Sequence, residues 1–213
     1  MRIARAVPVG LVVAGLAFAP TAARAQKGGQ TEIGPWAGLN FTTFSVSNVS
    51  GTFSNLTRFA VGGQLVRGLS KDFALRIGLL YSQRGADAGG GVSMKLDYLE
   101  IPVMVAYKIS GQGTSVTPYV AAGGQFAIKL NCNVSAGSAS VDCGTLLNAT
   151  LPSTDVGINL GAGVAFPVGK AALTVDARYY IGLTNLASAA GGGVSAHNTG
   201  FSVGVGYMFR LGR

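Results

Sequence analysis

Charge is scarce in this chain: Asp, Glu, Lys and Arg make up 11% of its 213 residues, against about a quarter in ordinary soluble domains. With a mean hydropathy of +0.41, the composition is membrane-like. Long apolar runs are nevertheless missing beyond residue 25. The longest charge-free stretch, between Arg178 and Arg210, is full of Gly, Ser, Asn and Thr, which excludes helical spanning. The remaining structure that satisfies every backbone polar group in lipid is a closed β-barrel. One histidine and two cysteines are too few for a metal site built by the protein alone. No catalytic, cofactor-binding or metal-ligating residue is assigned.

The first residues are of a different kind. Met1-Arg-Ile-Ala-Arg5 is basic, Ala6 to Ala19 is apolar, and Ala23-Arg24-Ala25 precedes Gln26, the order of a secretory signal peptide. Pro8, Gly10, Gly15 and Pro20 interrupt a segment that barely reaches the roughly 20 residues of a spanning helix. Residues 1–25 are therefore expected to be removed, leaving one domain over 26–213. Removal takes three arginines (Arg2, Arg5, Arg24) and no acid, so the formal charge of +8 becomes +5. The basic residues left are scattered singly. Nucleic acid is excluded as a partner for a secreted chain, and outer-membrane lipid and lipopolysaccharide suit such a charge better.

Glycine is abundant, with 33 residues, but it is dispersed among β-branched and aromatic residues in alternating segments that read as strands. Eight are predicted near 31–44, 57–67, 73–84, 94–109, 115–129, 155–167, 171–184 and 199–211, each long enough for the roughly 9–11 residues of a tilted membrane strand. Val156, Ile158, Leu160, Ala162, Val164 and Phe166 interleave with Asp155, Gly157, Asn159, Gly161, Gly163 and Ala165. The last two strands repeat that split. A soluble barrel needs a charged, bulky outer face; here the polar face is small, as the crowded interior of an eight-stranded barrel requires. The apolar face then meets lipid. Connections 68–72, 110–114 and 168–170 are short, whereas 45–56, 85–93, 130–154 and 185–198 are longer. That alternation predicts periplasmic turns, extracellular loops and both termini in the periplasm.

Gly38-Leu-Asn-Phe41, Leu80-Tyr-Ser-Gln-Arg-Gly85, Tyr98-Leu-Glu-Ile-Pro102, Pro118-Tyr-Val120 and Ala177-Arg-Tyr-Tyr-Ile-Gly-Leu183 resemble the PorT-like, porin-family outer-membrane β-barrel proteins, over nearly the whole mature chain. The resemblance implies an all-β, eight-stranded, antiparallel up-and-down transmembrane barrel in the bacterial outer membrane. Two positions depart from it: Gly78 stands where a Glu is expected, and the last aromatic, Phe209, is followed by Arg-Leu-Gly-Arg213. The barrel-assembly machinery reads a terminal aromatic, so that tail bears on assembly. A fold does not by itself assign an activity.

On the alternation, Arg76, Glu100, Asp176, Arg178 and Arg210 share the inward register and are expected to form a lumen network, either filling the barrel or lining an ion-selective path. Pro102 removes a ladder donor. Cys132 and Cys143 are expected to form a disulfide in the longest loop. His197, near Ser195 in the last loop, is read as a solvated loop histidine rather than part of a hydrolase. Phe41, Phe44, Phe59 and Tyr81 are expected at one interfacial girdle, and Phe73, Tyr107, Phe166, Tyr207 and Phe209 at the other. Asn-x-Ser/Thr triplets at Asn48, Asn55, Asn133 and Asn148 are polar loop composition. The function expected is that of a non-enzymatic envelope barrel that presents loops 45–56 and 130–154 to an extracellular partner and is at most a narrow solute path. The alternatives are a small open porin, a lipid-modifying enzyme and a soluble periplasmic ligand-binding barrel.

Overall fold

The computed structural model describes residues 29–47, 53–109, 116–147, 151–187 and 194–211. The elements in chain order are β1 (Thr31–Ser47), β2 (Ser54–Gly68), β3 (Phe73–Gly89), β4 (Val92–Lys108), β5 (Thr117–Ala136), β6 (Ala139–Asp142), α1 (Cys143–Leu147), β7 (Thr154–Val168), β8 (Ala171–Gly182) and β9 (Ser195–Leu211). Eight of these strands close into a ring. Neighbours in the chain pair antiparallel, β7 pairs with β5, and β9 returns to β1, from Thr31 opposite Leu211 to Ser47 opposite Ser195. Closure leaves no free edge among these eight, which is how a sheet meets the hydrogen-bonding demands of lipid. The four-residue β6 lies outside the ring and pairs with the upper part of β5. The predicted signal peptide lies outside the described residues.

The alternation of the sequence sorts the side chains. On β7, Val156, Ile158 and Leu160 point outward with 44%, 42% and 48% of their surface exposed, whereas Asp155 and Asn159 are buried. Leu79, Val105, Val120, Val175 and Val205 continue the apolar exterior, the surface that a lipid-facing band requires. Outward aromatics bound it. Phe41 and Phe201 lie 6.3 Å apart and Phe59 and Tyr81 6.0 Å apart toward the loop end, with Phe73 and Tyr107 5.3 Å apart and Tyr207 and Phe209 5.0 Å apart toward the end that carries the termini. On β3 the two levels are separated by roughly 20 Å along the axis, from eight steps of a strand tilted about 40°.

Several connections differ from expectation. Segment 85–93 is not a loop: β3 and β4 run on to a two-residue turn at Gly90–Gly91. Gly89, Gly90 and Gly91 have φ of 82°, 61° and 78°, a run that side-chain-bearing residues adopt only with strain. Among the described residues, segments 45–56 and 130–154 are in part regular structure, because β1, β2 and β5 continue past the predicted ends and β6 and α1 follow. Phe44 is no girdle residue. It has the parity of the inward-facing Asn40 and Thr42 and is buried with them.

Candidate functional site

Most of the ring's charged inward residues stand in the lumen in two storeys. The lower is built on Asp176 of β8, which is 4% exposed. Its Oδ1 accepts from Arg178 Nε at 2.9 Å, and its Oδ2 accepts from Arg76 Nη2 at 3.2 Å, Trp36 Nε1 at 3.3 Å and Tyr119 Oη at 3.2 Å. Arg76 Nη2 also donates to Gln64 Oε1 at 3.0 Å. The two guanidinium groups rest on aromatic faces, Arg76 4.5 Å from the Tyr119 centroid and Arg178 4.5 Å from that of Trp36, which holds their charge without further carboxylates. Trp36 fits because Gly38 and Gly204 lie under its indole, where a Cβ would collide with the ring.

The upper storey is built on Arg84 of β3. Its Nε stands 2.6 Å from Glu100 Oε1, its Nη1 4.0 Å from Asp155 Oδ2, and its guanidinium 3.8 Å from the Tyr180 centroid. Asn198 Nδ2 donates to Asp155 Oδ2 at 2.7 Å and to Tyr98 Oη at 3.1 Å. The lower storey holds two arginines and one carboxylate, the upper one arginine and two carboxylates, so each excess offsets the other. Buried ions are tolerable only with such pairing and hydrogen bonding.

Of the five residues expected to form one network, Arg76, Asp176 and Arg178 meet, Glu100 belongs to the upper storey, and Arg210 belongs to neither. Arg210 sits at the exposed end of β9 and pairs with Glu32 at 3.4 Å; at a strand end the lumen opens and does not desolvate it. Arg84, Asp155 and Trp36 were not singled out as site residues. Arg84 shares the even-numbered register of Arg76, which was a usable signal.

Above the upper storey the lumen is apolar. Phe44, Leu96, Leu151 and Leu186 pack with the Cys132–Cys143 disulfide, which is buried, its Cα atoms 5.5 Å apart. Cys132 turns inward because β5 carries an extra residue at Leu130 opposite the Asp97–Tyr98 step of β4; the bulge exchanges the two faces of the strand. Lys129 Nζ donates to Leu151 O at 2.9 Å and ties the approach to β7 onto β5. His197 is in strand β9, opposite Ser45, not in a loop. Among the described residues its buried Nδ1 has no hydrogen-bond partner.

The space left by these layers is small. Between the storeys lies a cavity of about 30 Å³ bordered by Trp36, Arg84, Gln125 and Arg178. Two of about 10 Å³ flank Arg76 and Met104. At the end that carries the termini a vestibule of about 320 Å³ opens, floored by Arg76 and Tyr119.

The profile of the outer membrane protein beta-barrel domain family matches residues 23–188. No curated protein sequence matches. Among solved structures, the outer membrane protein OprG from Pseudomonas aeruginosa superposes with a TM-score of 0.57 at 12% identity, covering 87% of this chain and 97% of that one. Neisserial surface protein A gives 0.49 at 15% identity, covering 85% and 97%. Ail of Yersinia pestis gives 0.44 at 15% identity, covering 84% and 99%. At such identities the likeness to OprG concerns the fold.

Proposed function

The chain belongs to the outer membrane protein beta-barrel domain family, and on that premise we propose that it is a non-enzymatic barrel of the bacterial outer membrane whose lumen is shut and whose work is done by its walls and its loop end. The observation that carries this reading is the stack inside the ring: a lower storey on Asp176, an upper storey on Arg84 and an apolar plug around Cys132–Cys143. A space of about 30 Å³ between storeys holds about two waters. That is far below the lumen of an open porin. The PorT-like subtype is a finer placement, supported by the Tyr98–Pro102 segment.

In this reading the termini face the periplasm, the loop end faces outward, lipid and lipopolysaccharide surround the apolar band, and the barrel-assembly machinery inserts the chain. An extracellular partner would meet the tips near 45–56 and 130–154. The orientation is tested by single cysteines at Gly90 and Lys170 in a Cys132→Ser/Cys143→Ser background, labelled on intact cells with a membrane-impermeant maleimide. Gly90 is labelled and Lys170 is protected; the reverse pattern removes the proposal. A lipid-modifying activity is tested by mass spectra of lipid A from cells with and without the protein, which are expected to coincide.

A further inference from the structure

Where the rest of the lumen is filled by large side chains, the end that carries the termini is hollowed by small ones. Ala74, Ala106 and Ala172 project inward and are buried, and together they clear the vestibule of about 320 Å³. That volume reaches the lower range of small-molecule sites, roughly 300 Å³ and upward. Among the described residues its charged lining is one-sided: Arg76 on the floor and Lys108 and Arg210 nearer the mouth, against the single carboxylate of Glu32. Glu32 and Arg210 offset each other and Asp176 offsets one of Arg76 and Arg178, so Lys108 and one guanidinium charge are left in excess. The field in the vestibule is therefore positive, and low-dielectric walls focus it.

We propose that this vestibule is a binding site for a small organic anion, a phosphate ester or carboxylate borne on a body about the size of one sugar. Lys108 attracts the charged group at the mouth, the alanines admit the body, and the Arg76–Tyr119 floor stops it. The site does not depend on whether the storeys above it conduct. The same chemistry could be presented by a free solute or by the headgroup of an anionic phospholipid folded in at the rim.

The test is amide-shift mapping on the refolded full barrel in zwitterionic detergent, titrated with glucose 6-phosphate, glucuronate and glucose. The charged sugars are expected to move the amides of residues 106–108 and 172–174 saturably, and glucose to leave them in place. Lys108→Gln should weaken binding at least fivefold, and Ala106→Leu or Ala172→Leu should abolish it. If the Leu variants do not fold, Lys108→Gln decides. In nanodiscs without added solute, the same shifts with phosphatidylglycerol but not phosphatidylcholine identify a headgroup as the occupant, and shifts that require the free sugar phosphate identify a solute. Both support the site. Equal response to glucose, no response to any probe, or unchanged binding by folded Lys108→Gln overturns it.

Discussion

Gly78 of β3 and Pro102 of β4 face each other so closely across the lumen side of the sheet that a Cβ on Gly78 would stand 2.9 Å from the Pro102 Cγ. The pairing of β3 with β4 is interrupted there, from Ile77–Val103 to Leu80–Glu100, as expected of a proline that offers no N–H. A side chain at 78 would thus meet a ring that cannot swing away.

Gly78→Glu should consequently destabilise the barrel by about 1–3 kcal/mol, the usual cost of overpacking. Gly78→Glu with Pro102→Ala should recover most of the loss, because the new carboxylate then lies beside Arg76 and Arg178, which border the same small cavity. Urea titrations followed by the heat-modifiable gel shift measure both; equal stability of the single and double variants would count against the steric account.

Asp176, not Arg178, is the keystone of the lower storey. Arg178→Ala removes one of four donors to that carboxylate and is expected to cost less than Asp176→Leu, which leaves two buried arginines unpaired. Breaking a buried pair in that way costs about 3–5 kcal/mol. The same titration ranks the two variants, and the opposite order would refute the assignment.

On the outer face, Leu160→Arg or Val175→Arg should cost roughly 2–4 kcal/mol in lipid vesicles near the midplane. Arg at Gly161 acts differently: a Cβ there would meet Ala177 O at 3.0 Å and Arg178 Cγ at 3.5 Å inside the wall. Its cost should persist when vesicles are exchanged for detergent, whereas sensitivity to lipid alone would place Gly161 on the wrong face.

The Cys132–Cys143 bridge closes a segment with a sequence separation of 11, for which loop entropy gives roughly 3 kcal/mol. Its burial in the apolar plug further predicts slow reduction while folded. Thiol titration after a mild phosphine reductant should detect free cysteines only when urea is added; rapid reduction of the native barrel would contradict the buried placement.

The barrel, its inward and outward registers and its lipid-facing residues were legible in the sequence because a two-residue period survives wherever one face meets lipid and the other a narrow lumen. Arg76, Asp176 and Arg178 were found by that period. It could not tell that Glu100 stands level with Arg84 and not with Asp176, since levels across a barrel depend on strand stagger, which no single strand encodes. Nor could it anticipate the plug. Near the loop end, Phe44 follows the inward parity, Leu130 shifts the parity of β5, and the Gly89–Gly91 turn makes a hairpin from residues whose composition reads as loop.

The closed lumen is tested most directly by planar-bilayer recording of the refolded wild-type protein beside Asp176→Leu, a variant with a trimmed plug, Phe44→Ala/Leu96→Ala, and a variant that combines both with Arg84→Ala. The account predicts no steady current for wild type and measurable conductance only when storeys and plug are opened together. Large, steady ohmic channels in the wild type, with Asp176→Leu changing only their ion selectivity, would contradict it and describe an open porin instead.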